Sequence, residues 1–185
     1  MKIDQNFKDA FKASVVIMAV VVLIAVAIGI CYAVIHPEAE EIYGFLAFAL
    51  ILHDDLDENG IRDNILNHID NISNKQIENP KEIDSVLVRE SSLIRLYKEK
   101  YYILISPTDE MRALKESLVE EGNIFLMSYN YLREALASKN KDDNNNYLLN
   151  IEKAKQYLDD AMNLRIQNRV ELDQWKVKIE AELSN

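Results

Sequence analysis

Hydrophobic positions divide this chain into one unbroken apolar block and a series of striped segments. The block is residues 14–35 (SVVIMAVVVLIAVAIGICYAVI), 22 residues without a charge. A helix apolar on every side has no face for water. At about 1.5 Å per residue the block reaches roughly 33 Å, the depth of a bilayer's hydrocarbon core, so it predicts a transmembrane helix. A second apolar stretch, residues 42–52 (IYGFLAFALIL), reaches only about 16 Å as a helix and is too short to cross. Pro37 followed by Glu38, Glu40 and Glu41 suits a helix N-terminus. Residues 36–53 are therefore expected to form a membrane-proximal apolar helix, lying on the membrane surface or against a partner through Tyr43, Phe45 and Phe48. The alternative is a hairpin that returns the rest of the chain across the membrane.

Beyond it the stripes follow helical spacing. Ile61, Ile65, Ile69 and Ile72 make one short stripe. Ile83, Leu87, Glu90, Ile94, Tyr97, Tyr101 and Leu104 step by threes and fours, with a strand over residues 101–105 as the local alternative. Ser106-Pro107-Thr108-Asp109 reads as a helix start, with Ser106 as the cap and Pro107 at the first position. The helix it opens carries Met111, Leu114, Leu118, Gly122, Phe125, Tyr129, Leu132 and Leu136 on one face. Gly122 inside that helix implies close approach of a neighbour rather than a kink.

After the polar break at residues 138–146 (SKNKDDNNN), the longest segment runs over residues 146–183. Its stripe reads Tyr147, Ile151, Ala154, Leu158, Ala161, Arg165, Asn168, Leu172, Trp175, Ile179, a coiled-coil spacing interrupted by two polar residues. Arg165 and Asn168 fit the edge of a broad stripe, reaching water as long polar side chains commonly do. They equally fit a buried polar pair that sets register or meets an acid such as Glu121. The fold expected is all-α: a single-pass transmembrane helix, a membrane-proximal helix, and an antiparallel three- to four-helix bundle or coiled coil. Its parts are residues 1–13 (cytoplasmic segment), 14–35, 36–53, 54–82 (acidic loop, short helix and linker) and 83–185 (bundle).

Charge orients this plan. Lys2, Lys8 and Lys12 precede the apolar block and no Lys or Arg follows until Arg62, so the positive-inside rule places the N-terminus in the cytoplasm and the bulk of the chain outside it. The long apolar run and the lack of an Ala-x-Ala site at its exit favour a retained anchor over a cleaved signal. Residues 54–185 hold 18 basic and 26 acidic side chains, a balance that repels phosphate backbones and excludes nucleic acid as a partner. Cys31 is the single cysteine, so packing alone must stabilise the body.

One stretch carries candidate chemistry. His53-Asp54-Asp55-Leu56-Asp57-Glu58-Asn59-Gly60-Ile61-Arg62-Asp63 contains D-x-D-x-N-G-x-x-D, with oxygen ligands at alternate positions and a glycine for the turn. It resembles the short acidic calcium loops of EF-hand, dockerin and thrombospondin type 3 repeat proteins. That resemblance implies calcium on the side chains of Asp55, Asp57, Asn59 and Asp63 and the carbonyl of Ile61, bound weakly. It departs from the EF-hand pattern at Arg62, where an aliphatic residue is usual, and at Leu66, where the terminal acid would stand. The bare residues also read as a solvated turn in which Asn59-Gly60 reverses the chain and Asp57 or Asn59 caps the next helix. If instead the preceding helix ran on to Asp57, its negative end would hold several acids and require a cation.

No zinc, P-loop, dinucleotide or nucleophile-elbow motif occurs. Asn71-Ile72-Ser73 is a glycosylation sequon. The expectation is a non-enzymatic anchored protein with no required cofactor. Its expected partners are membrane lipid, other membrane or surface proteins, and a second copy through residues 143–185. The alternative is an extracytoplasmic sensor responsive to calcium or another ligand.

Overall fold

The computed structural model describes residues 37–74 and 79–183, with side chains from residue 40 to residue 181 within those limits. The predicted transmembrane helix at residues 14–35 lies outside the described residues. Among those described, no helix is long and apolar enough to cross a membrane. Two units divide at residue 41, and the larger one, residues 42–185, holds the bundle.

The described residues form five helices and no strand: α1 (Pro37–Glu58), α2 (Ile61–Ser73), α3 (Pro80–Ile103), α4 (Asp109–Lys139) and α5 (Asn144–Leu183). Gly60, at φ 62°, occupies the left-handed region between α1 and α2, a conformation that costs other L-residues about 1–2 kcal/mol. The chain does not reverse there. Asp54 and Asp57 of α1 meet Arg169 and Arg165, whereas Ile72 at the end of α2 receives the Tyr147 hydroxyl. α1 and α2 therefore run in succession, antiparallel to α5, as one interrupted column.

Pairs across the other columns give the same alternation. Tyr97 reaches Asp55 and Glu90 reaches His68. Arg133 meets Asp84, and Lys98 meets Asn123. Ser117 meets Asn168, and the Ser128 hydroxyl donates to the Ala154 carbonyl. The result is an up-down-up-down bundle of four columns, the arrangement that short connections between long helices favour.

Helix stripes meet in one core. Ile61, Ile65, Ile69 and Ile72 are all buried, as are Met111, Leu114, Leu118, Phe125, Tyr129, Leu132 and Leu136. Helix ends differ in detail from the sequence reading. The cap of α4 is Thr108, whose hydroxyl accepts from the Met111 amide at 3.1 Å, so Pro107 precedes the cap rather than opening the helix. Residues 101–103 are helical, not a strand. Gly122 is buried in an unbroken helix, but a Cβ there would meet the Lys98 stem of α3 at 3.5 Å, an ordinary contact, so no close approach demands the glycine.

The larger correction concerns α1. The apolar helix extends to Glu58, four residues past the expected start of the acidic loop. It is not a free surface element. Phe45, Leu46, Ala49, Leu52 and Leu56 are buried in the chain's own bundle, whereas Tyr43 and Phe48 face outward. The last turns of α5 are flanked by this helix: Ile179 shares a small cleft with Leu46 and Leu50. One apolar face over 42–56 and one over 172–179 each lacked a local partner, and they cover each other.

Candidate functional site

Four of the bundle's helices contribute to one buried polar cluster. α5 brings Arg165 and Asn168, on the inner stripe three residues apart. α4 brings Glu121 and Ser117, one turn apart. α1 brings His53 and Asp57, also one turn apart, and α3 brings Tyr101. Glu121 is 2% exposed and Arg165 4%, so the charged pair lies in the hydrophobic interior.

Its hydrogen bonds are closely matched. Arg165 donates through Nη1 to Glu121 Oε1 at 2.6 Å, through Nε to Asp57 Oδ1 at 2.9 Å, and through Nη2 to the His53 carbonyl. Asn168 Nδ2 donates to Glu121 Oε2 at 2.8 Å, and its own carbonyl accepts from the Ser117 hydroxyl at 2.6 Å. Both carboxylate oxygens of Glu121 thus have a donor. Such pairing is required inside a core, where an unpaired charge costs several kcal/mol. Burial pushes the Glu121 carboxyl up, and Arg165 and Asn168 pull it back. The reading in which Arg165 and Asn168 turn inward to Glu121 holds over the one in which they reach water.

His53 is the exception. It is almost wholly buried, and neither ring nitrogen has a hydrogen-bond partner; the nearest acid, Glu121 Oε2, stands 3.9 Å from Nε2. Burial, with the Arg165 charge beside it, lowers the imidazole pKa to about 4. It is therefore neutral at physiological pH. The Tyr101 hydroxyl is likewise unpartnered, and burial raises its pKa.

The acidic stretch is organised by the same neighbours. Asp55 and Asp57 lie on the last turn of α1 rather than in a loop. Side chains two residues apart on a helix diverge, and these two part company. Asp55 accepts from the Tyr97 hydroxyl of α3, whose pKa burial and that bond push up to about 12. Asp57 accepts from Arg165 of α5. Asn59 turns back to donate to the Asp55 carbonyl at 2.7 Å, terminating α1. Asp63 is exposed in the first turn of α2 beside Arg62. Of the four residues expected to share one ion, Asp55 and Asn59 thus meet at the Tyr97 hydroxyl, whereas Asp57 and Asp63 have other neighbours.

The negative end of α1 does carry the crowd of acids that the sequence implied, and it finds its cations within the chain. Arg165 meets Asp57 and Arg169 meets Asp54. Among the described residues, the groups that converge are His53, Asp54 and Asp57, with donor atoms within 4.8 Å of one another. Each carboxylate of that trio already has an arginine against it, although Arg165 is shared with Glu121. The inward placement of His53 was readable from its position between Ala49, Leu52 and Leu56 on the stripe. Asp54 carried no such signal.

A second, smaller cluster lies at the other end of the interior. Glu90, which interrupts the α3 stripe, accepts from the Tyr129 hydroxyl at 3.0 Å and sits 3.0 Å from His68 Nε2.

On the outside, Glu110 at the start of α4 and Ile166, Val170, Trp175 and Lys178 of α5 border an open groove of about 610 Å³. No family model, no curated protein and no solved structure matches this chain.

Proposed function

We propose that this chain is a non-enzymatic, membrane-anchored helical protein that acts by binding other proteins, as an accessory or structural subunit of a membrane or cell-surface complex. The observation that carries this reading is the outer groove at Trp175. The inner stripe of α5 is covered by α1, α2 and α4, yet Ile166 and Val170 remain exposed on its outer side. Exposed apolar side chains gathered beside a half-buried tryptophan, rimmed by Glu110, Glu171 and Lys178, fit the recognition of an amphipathic helix from a partner. The buried polar groups support it from the other side. They are directed at one another and hold the four columns in register rather than facing an open cleft.

The charge-free run at residues 14–35 supports anchoring, and the lysines before it support a cytoplasmic N-terminus with the bundle outside. The test is affinity purification of the full chain in mild detergent, beside a variant carrying Ile166→Glu and Val170→Glu. The native chain is expected to bring a stoichiometric companion that the variant loses while keeping its helicity. A monodisperse, partnerless native monomer overturns the reading. Reporters fused after Asn74 and after Asn185 check the topology, and both are expected outside the cytoplasm.

A further inference from the structure

One set of exposed apolar side chains lies towards the end of the bundle where α1 begins, with others, Leu148 and Ile166 among them, elsewhere on its surface. On α1, Tyr43, Phe48 and Ile51 are each more than half exposed, on the side opposite the buried Phe45, Ala49 and Leu52. At the close of α3 and just after it, Tyr102, Ile103 and Ile105 are more exposed still. The antiparallel register brings these two sets to the same level. Asp55 stands against Tyr97, so stepping back along α1 towards Tyr43 means stepping forward along α3 towards Ile105. The opposite tip, by contrast, is the polar connection SKNKDDNNN at residues 138–146.

This end is also where the chain enters the bundle. Six residues, or seven steps along the chain, separate Ile35, the last of the charge-free run, from Ile42. Seven steps span at most about 25 Å fully extended and about 10 Å as a helix. If residues 14–35 cross a bilayer, the start of the bundle stays within about 25 Å of its hydrocarbon core. An exposed set of Tyr, Phe and Ile held within that distance meets lipid at an effective concentration no soluble partner matches. Tyrosine suits that depth, since its ring is apolar and its hydroxyl stays wet, and phenylalanine and isoleucine add apolar area beside it.

We propose that Tyr43, Phe48, Ile51, Tyr102, Ile103 and Ile105 form a lipid-docking face that seats the bundle on the bilayer surface. The inference rests on the membrane-anchored reading above. The occupant is the interfacial layer of the bilayer. The net acidity of residues 54–185 gives anionic headgroups no advantage, so zwitterionic lipid suffices.

Trp175 is the only tryptophan, which makes the test direct. The full chain carrying Trp175→Phe is reconstituted in phosphatidylcholine vesicles with one new tryptophan at Phe48→Trp, Tyr102→Trp or, as a distal control, Leu148→Trp. Half of each preparation contains phosphatidylcholine brominated on its acyl chains. The expected result is at least twofold quenching at positions 48 and 102 with a blue-shifted emission, and none at 148. Vesicle-bound protein in which 48 and 102 behave like 148 overturns the docking face while leaving the anchor intact. A blue shift at 48 and 102 without quenching also overturns it, because protein rather than lipid then covers the face. Failure of the chain to float with vesicles overturns the anchor and the docking face together.

Discussion

Arg165 shows how much one side chain can be asked to hold. It answers a buried carboxylate on α4, an exposed one on α1 and a backbone carbonyl near the negative end of α1. Removing it leaves Glu121 in the core without a counter-charge, and removing Glu121 leaves buried Arg165 with only the exposed Asp57 as its counter-charge. Arg165→Met or Glu121→Leu alone is expected to destabilise the bundle by about 3–5 kcal/mol. The double variant is expected to fall well short of the sum, with a coupling of about 2 kcal/mol or more, read from chemical unfolding in detergent followed by helicity. Additive losses would show that the two do not act as a pair. His53 makes a separate prediction. Its folded pKa, about 4 against an ordinary 6.5, means that the unfolded chain binds more protons between those values. The stability it allows is fully present above pH 6.5 and is lost as pH falls towards 4, by about 3 kcal/mol at most. Glu121, with its pKa raised by burial, works in the opposite sense, because its ionisation weakens the fold as pH rises through its folded pKa. His53→Leu removes two unpartnered nitrogens and should flatten the acid slope between pH 6.5 and 4. A variant with an unchanged slope would mean that His53 does not titrate as described.

Helices here are set by stripes but bounded by single residues, and two glycines separate those roles. Gly60 is needed for its backbone. It sits at φ 62° with nothing within 4 Å of an added Cβ, so Gly60→Ala should cost about 1–2 kcal/mol through conformation alone. Gly60→Asn should recover part of that, because asparagine tolerates the left-handed region better. Gly122 is the reverse case. It lies mid-helix with ordinary room for a methyl group against Lys98, so Gly122→Ala should stabilise by up to about 1 kcal/mol. Thermal unfolding of the two alanine variants should move in opposite directions, and a shared direction would contradict this account. Most element-level features were legible beforehand. The Pro37 start, the isoleucine stripe of α2 and the long faces of α4 and α5 depend on neighbours three and four residues away. The cap of α4 was misplaced by two residues because Ser106-Pro107 and Thr108 offer competing starts, and packing of Met111 into the core selects the second.

At the level of the whole molecule, the first column is the least local feature. Residues 42–52 are apolar enough to imply a partner, and their burial is within the chain rather than outside it. The last inner positions of α5 meet α1 in the same way, with Ile179 beside Leu46 and Leu50.

Composition and periodicity alone determined the all-helical class, the positions of the long helices, the charge-free run of residues 14–35 and the acidity of the body. Each of these follows from the identity of residues within a turn or two of one another. Tertiary structure alone decided that Arg165 and Asn168 face inward, that Asp55 and Asp57 answer to different helices, and that two arginines of α5 stand against the end of α1. Asp57 and Arg165 are 108 residues apart. Their meeting depends on the register between two antiparallel columns, which buried area and the pairing of every interior charge select together, and which no local window of sequence contains.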